Sequence, residues 1–364
     1  MDRVAIVGAA QTAFSEKKVA LTFADMAYDV TTRALEDAGM TIADIGNIVT
    51  VSNDFWDGRT ISSMAVGDAI GAAYGDGKNI STVEGDGTFG AFYGLARILS
   101  HSYKSTLVVA HSKASEGDPR LISNALFDPL YERPMGADRV AAAALQAQVF
   151  MQEKGVSLED IARVVVKNRK NGAVNPNAHR KEAISHEQAL NAKPIALPLK
   201  EHDVSPMSDG AAAIILAGES VARKTPHPVW VKGVAFAADA YYLGERDLSE
   251  SPALRQAAQK AYAMAGVKDP AREIHAAEIY DEFSYQEIMW LKELGLTGSA
   301  LPVNASGGCL SAHTVIVAGL VRMIEASLQI RGKAANQQNG IKTALAHGQN
   351  GLCGQSHCVW ILGN

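Results

Sequence analysis

Apolar residues in this chain come in two rhythms. Unbroken runs such as VAIVGAA (4–10), LVVA (107–110) and VWV (229–231) do not alternate with polar residues. They predict strands of a sheet covered on both faces and joined by βαβ crossovers. Between them lie stripes at helical spacing. Phe23, Met26, Ala27, Val30 and Ala34 form one, and Leu254, Ala257, Ala258, Ala261 and Ala265 form another. Both stripes stop at a glycine, in ALEDAGMT (34–41) and AYAMAGVK (261–268), as a left-handed helix cap requires.

The two stripes are part of a longer echo. VAIVGAAQTAF (4–14) is matched by VWVKGVAFAAD (229–239), and VEGDGTFGAFYGLARIL (83–99) by VNASGGCLSAHTVIVAGLVRMI (303–324). LVVAHSK (107–113) is matched by TALAHGQ (343–349). Each unit reads as a strand, a Gly-rich turn and an apolar helix, with helices expected to start near residues 88 and 309. Two related α/β halves are expected, residues 1–225 and 226–364, meeting at the Pro-rich KTPHP (224–228). Between about 115 and 200 the echo breaks. That stretch carries a helical pattern (Ala137 to Lys154) and polar loops, and reads as an insertion from the first half.

Composition narrows the class. Charged residues make up 20% and the formal net charge is -5, so no basic field for nucleic acid is expected. No apolar run reaches the roughly 20 residues of a membrane span, and no secretory leader is visible, which predicts a cytoplasmic protein. The three cysteines, Cys309, Cys353 and Cys358, have no framework spacing and suit a reducing compartment. Cys353-x4-Cys358 with His357 between offers too few ligands for zinc, and no metal site is expected.

These halves, together with SPMSDGAAAIIL (205–216), NASGG (304–308) and the closing HGQNG (347–351), resemble the thiolase superfamily, most of all its sterol-carrier-protein-type branch. The resemblance spans the whole chain. It implies a duplicated thiolase fold, a five-layered αβαβα arrangement with an inserted loop domain. It also implies a homodimer acting on acyl-CoA, with coenzyme A as substrate or product and no covalently bound cofactor. In that family a Cys at the first elbow takes the acyl group. A His in an H-D-x-F segment and another in a GHP segment assist, and a Cys or His near the C-terminus serves as acid/base.

The matching positions here depart from that pattern. The family nucleophile falls on Gly87 or within one residue of it, with Asp86 and Thr88 as neighbours. H-D-x-F becomes Tyr280-Asp281-Glu282-Phe283, and the GHP segment is eroded, leaving His313 near the expected place. His347 matches a His of the sterol-carrier branch, and Cys353 lies close to the family's acid/base Cys. Tyr280, His313, His347, Cys353 and Asp281 are therefore the expected catalytic residues, with His313 and His347 facing one cavity. Of Asp281 and Glu282, one is expected to position substrate and the other to cap a helix beginning at Ser284. Gly87, Asp86, Gly308, Cys309 and Ser306 are the expected oxyanion or substrate-binding group, because helix starts offer N–H donors. Phe89, Phe92, Trp56 and Trp290 are candidates for an apolar tunnel; Cys358 and His111 read as structural.

A thiolase-like enzyme making or breaking a C–C bond in an acyl-CoA thioester is the resulting expectation, acyl transfer or thiolysis first. Retro-aldol cleavage of a β-hydroxyacyl-CoA, which needs no covalent Cys, is a close alternative. A non-catalytic acyl-CoA-binding or scaffold subunit is the third. Few basic residues cluster to grip a 3′-phospho-ADP, apart from His179-Arg180-Lys181 and Lys167 to Lys170. A small zinc-ribbon/OB-fold partner subunit is accordingly expected from the resemblance.

Overall fold

The computed structural model describes residues 3–75 and 77–364. β1 (Val4–Gln11) leads to α1 (Phe23–Ala38), β2 (Asn47–Ser52), the single turn α2 (Asp54–Asp57), β3 (Asn79–Glu84), α3 (Gly87–Leu99) and β4 (Ser105–Ser112). An excursion follows: α4 (Pro119–Asn124), α5 (Arg139–Lys154), α6 (Leu158–Ala173), α7 (His186–Leu190) and the small pair β5 (Pro194–Ala196) and β6 (Leu199–Lys200). The chain returns through β7 (Gly210–Gly218) and α8 (Glu219–Ala222) to β8 (Val229–Ala238). Then come α9 (Pro252–Ala265), α10 (Pro270–Glu273), β9 (Ala276–Glu278), α11 (Ser284–Glu293), α12 (Gly308–Ser311), α13 (Ala318–Arg331), β10 (Thr343–Asn350) and β11 (Ser356–Gly363).

Nine strands join in the order β3-β2-β4-β7-β1-β8-β11-β10-β9. The middle junction is short: β1 and β8 meet only at Ala5–Trp230 and Ile6–Val229. On either side of it the order runs in mirror fashion, and a lone parallel bridge from Ala277 to Val303 stands beside β9 as β3 stands beside β2. The sheet is mixed, not purely parallel. β2 pairs in parallel with β3 and β4, and β9 with β10, while β7 and β11 run antiparallel to their neighbours. An antiparallel return is compatible with unbroken apolar runs because helices still cover both faces.

The alternation of strand side chains shows the layering. Val4 and Ile6 of β1 point into a central core with Ala91 and Leu95 of α3 and Leu320 and Ile324 of α13. Ala5 and Val7 point the other way, onto Met26, Val30 and Ala34 of α1. Across the junction, Trp360 and Leu362 of β11 join the central core, while Val359 and Ile361 meet Leu254 and Ala258 of α9 and Trp290 of α11. The result is α1, sheet, the α3/α13 pair, sheet, then α9 with α11. Gly39 and Gly266 end α1 and α9 at φ of 63° and 74°. Among the described residues no helix is long and apolar enough to cross a membrane.

One element departs from the expected register. The helix expected from residue 309 is a single turn, α12, and the long helix begins only at Ala318. Gly307 and Gly308 both take positive φ, and Ala312 is fully extended. His313 then bridges Met207 instead of continuing a helix. The helix that packs against α3 is therefore α13, and His313 sits in the break before it.

Candidate active site

The elbow after β3 is sealed. Asp86 caps α3, and its carboxylate is 1% exposed. It accepts from the Thr88 N–H (2.9 Å), the Thr88 hydroxyl (2.5 Å) and the Gly319 N–H of α13 (2.7 Å). Burial pushes this carboxyl up to about 6, against those hydrogen bonds, which favour the anion. The Gly87 N–H is held by the Ile316 carbonyl at 2.8 Å. A Cβ on Gly87 would stand 2.5 Å from Leu320 Cβ and 3.0 Å from its backbone nitrogen. Real Cβ atoms essentially never approach within 2.5 Å of another atom, so any side chain at position 87 would have to displace α13. Beneath the turn, Cys358 Sγ on β11 lies 3.9 Å from the Thr88 carbonyl, fully buried in the central core. Burial raises that thiol well out of the reactive range.

A narrow cavity of about 60 Å³ opens beside this elbow. Its chemical walls are Tyr280, Glu282, Arg139 and Cys353, with Asn53, Gln349 and Asn350 adding amides and Trp56, Phe283 and Ile316 adding apolar surface. Tyr280 is 2% exposed. Its hydroxyl lies 2.8 Å from His313 Nε2 and 3.0 Å from the Val315 carbonyl. Burial holds the phenol well above its ordinary value, and the Glu282 charge adds to this. Burial also holds His313 well below the ordinary imidazole value, and the Arg139 and Arg322 charges add to it. The pair is therefore a protonated phenol beside a neutral imidazole whose Nδ1 has no partner. Cys353, at φ 53° in the loop between β10 and β11, reaches the same cavity with its thiol pushed up to about 12 by burial.

The backbone of Tyr280 is wired to the sheet. His347 Nδ1 accepts its N–H at 3.3 Å, and the indole of Trp290 donates to its carbonyl at 3.1 Å. Burial keeps His347 neutral, so its proton is on Nε2 and is donated to His357 Nδ1 at 2.9 Å. His357, pushed down to about 3 by burial, passes its own Nε2–H to the Ser251 hydroxyl at 3.0 Å. Ser251 caps α9 by accepting the Leu254 N–H. One chain of bonds thus runs from a helix start through two imidazoles to the cavity tyrosine.

Behind Tyr280 lies a buried ionic layer. Asp281 is fully buried and accepts from the Cys309 N–H (2.6 Å) and the Asn168 amide (2.7 Å). Glu287 accepts from Asn168, Asn304 and Lys167. Burial, and then the Glu287 charge, raises the Asp281 carboxyl. Glu278 binds the Ser306 N–H and hydroxyl and pairs with Arg322 at 2.8 Å. This layer clamps the NASGG loop, and a Cβ on Gly308 would strike Asp281.

These placements revise several expectations. Tyr280, His313 and His347 are brought together, but only Tyr280 is in the cavity wall; His313 backs its hydroxyl and His347 its main chain. Asp281 faces away, and Glu282 takes the wall. Neither caps α11, whose cap position is Phe283, with Gln286 accepting the Phe283 N–H. The N–H groups at both turns are spent internally: Gly87 on Ile316, Thr88 on Asp86, Gly308 on Ser306 and Cys309 on Asp281. Asp86 and Ser306 are likewise engaged within the chain, bonded to Thr88 and Glu278. Cys309 packs against Tyr280 and Ala318, and burial raises its thiol well above the ordinary value. Trp56 lines the cavity, Trp290 lies behind it, and Phe89 and Phe92 cluster with Phe236. Arg180 donates to the Val204 carbonyl and Lys167 to Glu287, so two members of the expected phosphate-gripping groups are engaged within the chain. Glu282 is one of the two residues expected to position substrate; Arg139 and His357 were missed. The signal for Glu282 was its place in YDEF; Arg139 and His357 had none, being brought in by α5 and β11.

Residues 235–299 and 296–364 match the family model described as thiolase C-terminal domain-like. An acetyl-CoA acetyltransferase of Methanothermobacter thermautotrophicus is 32% identical over 257 residues, covering 65% of this chain and 67% of that protein. The chain belongs to the thiolase superfamily. A steroid side-chain-cleaving aldolase of Thermomonospora curvata is 29% identical over 245 residues, covering 60% of the chain and 61% of the aldolase. Among solved structures, the Ltp2-ChsH2(DUF35) aldolase superposes with a TM-score of 0.84 at 25% identity, over 99% of this chain and 97% of that one. The layered α/β architecture is thus the thiolase fold, and in this member the elbow that faces the cavity carries glycine.

Proposed function

We propose that this thiolase-fold protein is a carbon–carbon lyase that cleaves a β-hydroxyacyl-CoA by a retro-aldol reaction. The observation that carries the reading is the sealed elbow at Gly87, where any side chain would have to displace α13. Ping-pong acyl transfer needs a nucleophile there. Retro-aldol cleavage needs proton transfer and an electron sink, and the thioester carbonyl is that sink. In this reading Tyr280 is the acid that returns a proton to the α-carbon. Its buried phenol is held protonated, and the neutral His313 orients it. The similarity to two aldolases supports the same direction. The polar amides of Asn350 and Gln349 in the wall would bind the thioester or the leaving carbonyl.

The partner expectation also belongs to this reading. The matched solved structure pairs its aldolase with a second component in its name, and a small CoA-holding subunit would complement the engaged basic residues here. The test is direct. The protein, alone and with any co-purifying subunit, is given a β-hydroxyacyl-CoA and, separately, a β-ketoacyl-CoA plus free CoA. Release of an aldehyde or ketone from the first, without chain-shortened thioesters from the second, is expected. Thiolysis of the β-keto substrate in place of cleavage would overturn the lyase reading.

A further inference from the structure

A retro-aldol step needs a base as well as an acid, and the cavity wall restricts the choice. Tyr280 and Cys353 are kept protonated by burial. Asn53, Gln349 and Asn350 are amides, and His313 and His347 do not line the wall. Glu282 does line it, with its side chain only 13% exposed. Arg139, at the start of α5 and 11% exposed, grips Glu282 Oε1 through Nη1 at 2.6 Å. No hydrogen bond engages Oε2 among the described residues. The Glu282 backbone is anchored by the Ser205 N–H on its carbonyl, at 3.0 Å. A fixed carboxylate with one oxygen clamped and one unengaged, beside a protonated phenol, has the form of an acid–base pair.

We propose that Glu282, held by Arg139, is the catalytic base of this site and takes the proton of the substrate β-hydroxyl. This rests on the lyase reading above. The steps balance without any redox partner. Glu282 takes the hydroxyl proton, and the freed O–H electron pair forms the new carbonyl. The Cα–Cβ pair moves onto Cα, delocalised into the thioester. Cα then takes the Tyr280 proton, and the proton on Glu282 passes to the phenolate and resets both groups. Arg139 is a positioning residue: it holds the carboxylate in place through Oε1. The titratable and charged groups around Glu282 are Arg139 from α5, Tyr280 and Tyr285 on its own segment, Cys309 of α12 and Cys353 with Arg246 beyond it.

The test uses a β-hydroxyacyl-CoA that the wild-type protein cleaves; failure of the wild type to cleave any such substrate sinks the lyase reading itself, before any variant is made. Given cleavage, Glu282→Gln is expected to lower kcat at least about 100-fold with KM within about threefold, Glu282→Asp to recover part of it. Formate added to Glu282→Ala is expected to restore at least about tenfold, which a purely structural glutamate would not allow. The acidic limb of the kcat/KM profile, where the base becomes protonated, should vanish in Glu282→Gln. Arg139→Gln, which releases Oε1, is expected to lower kcat about tenfold with KM within about threefold. Glu282→Gln within tenfold of wild type, or an unchanged acidic limb with no formate rescue, overturns the proposal while leaving cleavage intact. Should Glu282→Gln fail to fold, Arg139→Gln decides: kcat within about twofold of wild type overturns the proposal.

Discussion

His111 on β4 and His347 on β10 occupy matching places in the mirrored strand order, and their surroundings could hardly differ more. His347 uses both ring nitrogens, one on the Tyr280 N–H and one on His357. His111 uses neither: both nitrogens are unpartnered, the ring stacks on Phe23 at 5.3 Å, and Asp57 stays 3.9 Å away. Both rings are fully buried. The duplicated scaffold therefore supplied two equal positions, and only one was built into a hydrogen-bond chain reaching a cavity. The turns diverge in the same way. The elbow at Asp86–Gly87 is closed by α13, while the second turn breaks its helix and releases His313 toward Tyr280. Equivalent backbone positions acquire chemistry only through what neighbouring elements bring to them.

The sharpest way to break that comparison is to remove the chemistry from the active side. Tyr280→Phe keeps the ring but deletes the hydroxyl that meets His313 and the Val315 carbonyl, and is expected to lower kcat about 10²–10⁴-fold at a cost of about 1–2 kcal/mol in stability. Steady-state kinetics and a denaturant midpoint check both halves of that statement, and full activity in Tyr280→Phe would dissolve the distinction.

Restoring a thiol to the silent turn is the next largest perturbation. Gly87→Cys must push Leu320 of α13 aside, so a loss of about 3 kcal/mol is expected from overpacking. No acyl adduct should form with acyl-CoA. Urea unfolding and intact-mass measurement read the two outcomes; a stable protein that acylates would show that the elbow can still serve a nucleophile.

The smallest effects lie in the two histidines themselves. His347→Phe strands the Tyr280 N–H and His357 Nδ1, and is expected to cost about 2 kcal/mol. His111→Phe removes no bonded partner and should stay within about 0.5 kcal/mol at pH 8. Burial depresses the His111 pKa to about 4. Folded protein thus keeps it neutral while the unfolded chain takes up a proton near the ordinary value of about 6.5. Its contribution is present above that value and is lost as pH falls toward about 4. Wild type should therefore lose ground to His111→Phe across that window, measured by unfolding at several pH values. Equal losses in both variants at pH 8 would mean that the two positions are not differently wired.

Much of the architecture was readable along the chain. The helical stripes, the glycine caps at Gly39 and Gly266 and the echo between segments follow from local periodicity and φ preference, and these act over a few residues. Tyr280 was legible because it stands in a four-residue motif, and its neighbour Glu282 was in view for the same reason. The choice between Asp281 and Glu282 was not legible, since adjacent side chains diverge according to the backbone at β9's end. Nor was the closure of the elbow, which depends on α13 meeting α3, or the roles of Arg139 and His357.

Local order, then, was decided by the sequence: which segments are strands, where helices stop, and that residue 87 bears no side chain. Contact was decided by the tertiary structure. It set which donors are already spent, which carboxylate is clamped by an arginine 143 positions away in the chain, and which of two buried histidines touches a tyrosine. The reason is physical. Periodicity and backbone preference are properties of neighbours along the chain, whereas protonation state and hydrogen-bond partnership depend on burial and on groups that only folding brings within 3 Å or so of one another.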